Sequence, residues 1–281
     1  MIGIIGGTGL YRMEGLEVTR SAEVDTPFGR PSGPVMLGRL SGREIAFLPR
    51  HGLNHDLLPS EINFRANIWA LKSVGVRTII GASAVGSLRE EIRPGDLALP
   101  SQYLDFTKGL RAASFFGKGL AAHVSTAHPT CAHTAALIAR VAKSIGQPLH
   151  LDKTYACVEG PRLGTRAESF WLRGAGADLV GMTNVPEAFL ALEAQVGYCV
   201  ITVATDYDCW LDDPSQHVSV DQVMSQFKDS LGRVQKLIAG AVAEYAEDES
   251  RACRRALKGA VITPQQQLTV EQKRILDFLA S

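Results

Sequence analysis

A chain of 281 residues, 46% hydrophobic and 21% charged, can bury the core of one large domain or two modest ones. Lys plus Arg equals Asp plus Glu at 29 each, a balance that argues against a nucleic-acid surface or an anionic-membrane partner. No apolar run reaches membrane-spanning length, no basic leader opens the chain, and five cysteines are scattered without a C-x-x-C. A soluble protein of a reducing, cytoplasmic compartment is expected.

Residues 1–5 form a short apolar run that stops at Gly6-Gly7-Thr8-Gly9, predicting a strand and a tight turn. The turn is either no more than that, or a nest of backbone N–H groups suited to an anion. It is not a dinucleotide fingerprint, because Arg12 stands where G-x-G-x-x-G counted from Gly7 needs a small residue. Residues 35–40 and 44–49 flank Ser41-Gly42-Arg43 as a hairpin whose second arm runs into Arg50-His51. A guanidinium just past a strand is a ready clamp for an anion. His51 and His55 have the spacing of a zinc helix, yet Gly52 replaces the glutamate of H-E-x-x-H and Pro59 closes the segment. Metal binding is therefore set aside.

Residues 60–74 read as a helix capped by Ser60, with Ile62, Ala66, Trp69 and Ala70 on one face. Residues 78–82 are a buried-strand run opening into Ser83-Ala84-Val85-Gly86; Gly81-Ala82-Ser83-Ala84-Val85 lacks the second glycine of a nucleophile elbow, but small residues and a hydroxyl suit anion contact. Residues 97–100 are a further strand candidate and 102–116 read as loop. A helix is expected over 129–145, with Pro129 in its first turn and Gly146 at its end. His123, His128 and His133 fit no metal frame and read as surface or cap residues. Residues 149–158 are strand-like, and Thr165 with Glu168 forms a capping box for the next helix. Residues 178–182 are again a strand, which exits through Thr183-Asn184-Val185-Pro186-Glu187 into a helix.

The next strand is apolar at six of its first seven residues from Tyr198, the look of a strand covered on both faces, and it ends in Thr205-Asp206-Tyr207-Asp208. If the chain stays extended, both carboxylates face one side, and crowding keeps one of them protonated. The plainer reading is a pair of solvated loop acids or a helix N-cap. Ser219 with Gln222 starts a long helix towards residue 247, residues 251–258 read as a basic, solvated helical face, and Thr269 with Gln272 caps a final short helix. Strands alternate with helices, without repeat or linker. The expected fold is one α/β domain with a mostly parallel or mixed central sheet flanked by helices on both faces. Residues 6–9, Arg50-His51, Ser83-Ala84, Thr183 and Asp206 all lie just past predicted strand ends, which in such a sheet can converge on one crevice.

The segments IIGGTGL, TPFGRPS, PRHG, NFRANIWALK, GSLREEIRPGD, EGPR followed by RAESF, MTNVPEA and ATDYDCW occur in the order seen in purine nucleoside phosphorylases. The chain resembles that family from Ile2 to about Glu247, most closely its 5′-methylthioadenosine branch. The resemblance implies a phosphorylase domain over 1–247, with 248–281 as a C-terminal helical extension packed on the same domain. It implies phosphorolysis, in which phosphate attacks C1′ and releases the purine, without metal or organic cofactor, in a homotrimer or dimer of trimers. By position, Thr8, Arg50, His51, Ser83, Ala84 and Thr183 would hold phosphate, and Met182 would pack on the ribose. Asp206 and Asp208 would be catalytic at the purine, with Thr205 and Leu163 beside it; His55, His123, Val220 and Val223 would surround the 5′ end.

Asp206, where 6-oxopurine enzymes carry Asn, favours adenine, and the two valines favour a methylthio group over a hydroxyl that would be left without a partner. Three departures from the family stand out. Leu163-Gly164 follows EGPR where an aromatic is common, which offers the base less contact area and points to weaker affinity or broader selectivity. Ser83 replaces a threonine, keeping the hydroxyl, and Asn184 replaces another. The alternatives are a broader or 6-oxopurine nucleoside phosphorylase and, outside enzymes, a non-catalytic nucleoside-binding module.

Overall fold

The computed structural model describes residues 1–281 except Thr8, Tyr11, Arg12 and residues 214–216. The amino-terminal half carries β1 (Ile2–Gly6), β2 (Glu17–Ala22), β3 (Val35–Leu40), β4 (Arg43–Pro49), α1 (Phe64–Ser73), β5 (Thr78–Ser87), β6 (Leu97–Phe106) and α2 (Ala132–Ser144). The remainder carries β7 (His150–Val158), α3 (Arg166–Gly174), β8 (Leu179–Gly181), α4 (Asn184–Glu193), β9 (Gly197–Asp206), α5 (Val220–Glu244) and α6 (Val270–Ala280). All belong to one α/β domain with a mixed central sheet. β1 and β9 are buried along their whole length, which fits strands covered on both faces. One face of the sheet packs on α2 and α5 through residues such as Leu137, Ile138, Val234 and Ile238. The other packs on α1 and α4 through Ile68, Leu71, Ala188 and Leu190.

The strand order is β2-β3-β4-β1-β5-β8-β7-β6-β9, and β9 returns to pair with β5, so the last five strands close into a ring. That closure has no signature in any single segment. β1 lies parallel to both β4 and β5, β3 and β4 form the expected antiparallel hairpin, and β8 and β6 run antiparallel to β5 and β9. β1 stops pairing with β5 at Gly81, and β8 takes up the same strand only at Gly86. Between them β5 is paired with β9 alone.

Several boundaries differ from the sequence reading for identifiable reasons. α1 begins at Phe64 because Asn63, not Ser60, is its cap, its side-chain oxygen accepting from the Ala66 N–H at 3.1 Å. α2 begins at Ala132, after Cys131, so Pro129 lies before the helix rather than in its first turn. β5 and β6 run well past 82 and 100, since pairing with β9 and β7 holds small and polar residues extended. The capping boxes at Thr165–Glu168 and Thr269–Gln272 are formed. The basic stretch after 250 is a solvated face only at Arg255 and Lys258. Arg251 and Arg254 are buried, donating to the Thr78 hydroxyl at 3.1 Å and the Gln195 carbonyl at 2.9 Å respectively. At the carboxyl end, Lys72 Nζ donates to the carbonyls of Ala194 and Leu279, both at 2.8 Å, while Phe278 stacks on Trp69 at 3.8 Å.

Candidate active site

The flank of β5 left unpaired between β1 and β8 lies at the carboxyl ends of β1, β4 and β9, the place where parallel α/β sheets bind ligands. Arg50 enters it directly after β4. Its backbone N–H donates to the Gly6 carbonyl at 3.1 Å, and its Nη1 donates to the Ala82 carbonyl at 2.8 Å, within the uncovered segment. Nε and Nη2 form a fork on the Glu187 carboxylate at 2.7 and 2.8 Å, and the Tyr198 hydroxyl donates to the same carboxylate at 2.8 Å. Gly81 makes room for this group, because a Cβ there would fall 3.1 Å from the Tyr198 oxygen and 3.3 Å from Arg50 Nη2. Burial works against the Arg50 charge, but Glu187 overrides it and pushes the guanidinium's pKa up. Three of five N–H donors are used, which leaves two to meet an anion.

Ser83 and Ala84 lie inside β5 rather than past its end, facing the turn that leads from β8 into α4. The Ser83 and Thr183 hydroxyls are 3.3 Å apart, and the Thr183 N–H points at the Tyr155 hydroxyl at 3.4 Å. Thr183 directly precedes α4, whose start is kinked: Val185 is extended at φ −114° and ψ 128°, and the regular helix begins after it. The His51 ring stacks on His55 at 4.4 Å, and its Nδ1 lies 2.9 Å from the Leu57 carbonyl. A carbonyl only accepts, so Nδ1 carries the proton and Nε2 is an acceptor. Burial first, and then the Arg50 charge, push the His51 pKa down to about 4, against the Leu57 hydrogen bond.

The two aspartates meet by a turn and not by strand alternation. The chain leaves β9 after Asp206, Asp208 adopts φ +52°, and the Asp208 N–H donates to Asp206 Oδ1 at 2.7 Å. Thr205 donates its hydroxyl to Asp206 Oδ2 at 2.7 Å. A left-handed aspartate carries backbone strain of a kind that clusters at functional sites. Asp206 is 1% exposed, and burial raises its pKa to about 6, opposed by the Thr205 and Asp208 donors, with Asp208's charge the smallest contribution. Burial, more than crowding, is therefore what holds a proton there. The Asp208 pKa is also raised by burial, against the Ser169 hydroxyl and Cys209 N–H. Gly86 closes the group, since a Cβ there would fall 3.0 Å from Asp206 Oδ1 and 3.2 Å from Asp208 Cβ.

Of the expected site residues, Arg50, Ser83, Ala84, Thr183, Thr205, Asp206 and Asp208 line this region; Thr8 lies outside the described residues. Met182 sits against Gly160, and Leu163, half-buried, precedes Gly164, which lies beside the Asp208 carboxylate. His123 is exposed and its N–H donates to the Ala260 carbonyl at 2.9 Å, against the C-terminal segment. Val220 is 67% exposed on the first turn of α5, and Val223 is half-buried one turn further on. Sequence reasoning missed Glu187, Tyr198 and Tyr155 as partners of the anion-facing groups. It also missed Arg111, which joins Glu159 at 2.7 Å to the carbonyls of Met182 and Val185 at 2.6 and 2.7 Å. The two acids of the otherwise apolar PEAFLALEA, Glu187 and Glu193, were the available signal for Glu187. Among the described residues no group of three or more His, Cys, Asp or Glu side chains could hold a metal ion, and no helix is long and apolar enough to cross a membrane.

An arginine fork, paired hydroxyls and a buried protonatable carboxyl beside β5 form a set suited to handling an oxyanion and a leaving group together, the chemistry of a transferase. Residues 1–244 match the model of the phosphorylase superfamily. The S-methyl-5′-thioadenosine phosphorylase of Geobacter sulfurreducens is 46% identical over 279 residues, covering 99% of this chain and 97% of the relative. A crystal structure of methylthioadenosine phosphorylase from an Antarctic soil metagenomic library superposes with a TM-score of 0.91 at 44% identity, covering 99% of this chain and 98% of that one. The Schistosoma mansoni methylthioadenosine phosphorylase in complex with adenine gives 0.88 at 34% identity, covering 92% and 98%. The chain belongs to the phosphorylase superfamily, on its methylthioadenosine phosphorylase branch.

Proposed function

We propose that the protein is a pentosyltransferase that cleaves 5′-methylthioadenosine with inorganic phosphate, giving adenine and 5-methylthioribose 1-phosphate in methionine and purine salvage. The observation that carries this reading is a buried carboxyl, pushed up to about 6, beside the same strand, β5, that carries the contacts of Arg50, Ser83 and Thr183. β5 measures the gap, because Ser83 touches the anion cluster and Gly86 touches Asp206 three residues on, a span of roughly 10 Å. That length accommodates a phosphate, a ribose and a purine in line.

Phosphate held by the two unused Arg50 N–H groups and the Ser83 and Thr183 hydroxyls attacks C1′ as the bond to purine N9 breaks. His51, with Nε2 as an acceptor, takes a hydrogen bond from a protonated phosphate oxygen. The phosphate's negative charge stabilises the developing ribosyl cation, while Asp206 delivers its proton to N7 of the departing purine. Asp208 accepts from the 6-amino group, Met182 packs on the ribose, and Leu163 on the base. His55, Val223 and Val220 enclose the methylthio group. No metal or organic cofactor enters this chemistry, and phosphate is a co-substrate. A homotrimer or dimer of trimers in the cytoplasm is the assembly we favour, with residues 248–281 an extension of the same domain. The exposure of Val220 and Met224 at 67% and 62% supports such an assembly.

The test is release of free base from 5′-methylthioadenosine with and without phosphate, beside adenosine, inosine and methylthioinosine. Phosphate-dependent adenine release, fastest with 5′-methylthioadenosine, is expected. Preference for a 6-oxopurine would overturn the assignment of Asp206 and Asp208, and no release at all would favour a binding module. A broader base range has one observation in its favour, the side-chain-free position at Gly164 beside Asp208.

A further inference from the structure

Away from the crevice, two thiols of the cysteine set face each other. Cys131 and Cys253 pack in one buried cluster with Leu192, each 8% exposed, and neither is in a disulfide. They come from distant parts of the chain. Cys131 is the N-cap residue of α2, and its N–H donates to the Tyr198 carbonyl at 2.7 Å. Cys253 lies in the short 3-10 turn Ala252–Arg255, whose neighbours Arg251 and Arg254 are anchored to Thr78, Arg77 and Gln195. The turn is thus held in place against the thiol it faces.

The surroundings separate the two sulfurs into a nucleophile and a partner. Cys131 sits at the positive end of a helix, with the Arg251 guanidinium nearby, and both features favour a thiolate. Contact with the Cys253 thiol, then Thr134 and Arg251, push the Cys131 pKa down against burial, while the same contact raises that of Cys253. Cys157 and Cys199 are more deeply buried, and burial pushes both of their pKa values up, Cys157 to about 12.

We propose that Cys131 and Cys253 form a reversible intrachain disulfide, with Cys131 as the attacking sulfur and a hydroperoxide as oxidant. The Cys131 thiolate attacks the peroxide oxygen; an S–O bond forms, the O–O bond breaks, and the leaving hydroxide takes a proton as water. The Cys253 sulfur then attacks the sulfenic acid at Cys131. An S–S bond forms, the S–O bond breaks, and a second water carries away the Cys253 proton. Two thiols and one hydrogen peroxide give one disulfide and two waters. A dithiol reverses the bond by exchange. The link would fasten the C-terminal segment to α2 and to the start of β9.

The full-length protein is treated with stoichiometric hydrogen peroxide, its free thiols are counted, and it is digested without reductant for mass spectrometry. The thiol count is expected to fall from five to three. One linked pair of peptides containing Cys131 and Cys253 should appear and vanish after a dithiol. In the Cys253→Ser variant a sulfenic-acid probe should label Cys131. The wild-type map stands whether or not that variant folds. Five remaining thiols, a link from Cys131 to Cys199, or a link between two chains would overturn the proposal.

Discussion

Glu187→Gln isolates what Arg50 is for. Arg50 is 2% exposed and Glu187 0%, and their fork is closed by the Tyr198 hydroxyl. Glutamine replaces one acceptor oxygen with an NH₂ donor facing a guanidinium donor and removes the only formal counter-charge in that fork. Breaking one side of a buried pair costs about 3–5 kcal/mol, and in a chain of this size that lowers the melting temperature by roughly 5–15 °C. Phosphate changes the outcome. An anion on the two unused N–H groups supplies the missing charge, so the variant gains more from phosphate than the wild type does. If half of a ~4 kcal/mol loss returns on binding, phosphate affinity rises about 30-fold. Thermal melts in graded phosphate, with chloride at matched ionic strength, read this directly. Equal phosphate-induced shifts in the two proteins would remove Arg50 from the phosphate site, however far the variant's melting temperature had fallen.

Asp206→Asn should lower turnover of 5′-methylthioadenosine by about 10²–10⁴-fold while leaving the phosphate-induced melting shift intact; unaltered turnover would end the proton-donor assignment. With its pKa raised from 3.8 to about 6, Asp206 must be protonated to act, so kcat/KM of the wild type should fall as pH rises through about 6. A profile without that limb contradicts the role. The same shift contributes stability that is full below 3.8 and lost as pH rises through about 6, some 3 kcal/mol in all. His51 has the opposite sign: its pKa is depressed from 6.5 to about 4, so the stability it contributes is present above 6.5 and lost as pH falls through about 4. Melts of Asp206→Asn against wild type between pH 4 and 7 separate the two, and parallel curves would refute the Asp206 shift. Val223→Asn should raise KM for 5′-methylthioadenosine relative to adenosine, and an unchanged ratio would take Val223 out of the 5′ pocket.

Local patterns carried most of the fold. Apolar runs placed β1 and β9, and the hydroxyl–acid or hydroxyl–amide pairs at Thr165 and Thr269 placed two helix starts, because these depend on residues close in sequence. Ring closure depends on β9 meeting β5 and β6 across a hundred residues, which no segment encodes alone. Ser83 and Ala84 looked like loop residues because their strand partner, Thr202-Val203, lies far along the chain. The site divided in the same way. Arg50 and Asp206 were legible as charges beside strand ends, whereas Glu187 and Tyr198 acquire meaning only once α4 and β9 bring them to Arg50. Arg251 and Arg254 looked solvated because charge is usually exposed; their burial is explained by the Glu247 carboxylate that pairs with Arg254 and by the carbonyls and hydroxyl of Arg77, Thr78, Gln195 and Ala246.

Among the described strands, closing β9 onto β5 leaves β2 as the one strand with a neighbour on a single side. An unpaired strand flank is a template on which other chains can align and propagate sheet. β2 is short, mostly exposed, carries Glu17 and Arg20, and breaks register between Val18 and Arg20. Each of those features discourages strand addition. Its apolar, β-branched counterpart β9, the segment best suited to seed aggregation, is buried along its whole length, with β5 on one flank and β6 on the other at Thr202 and Val203.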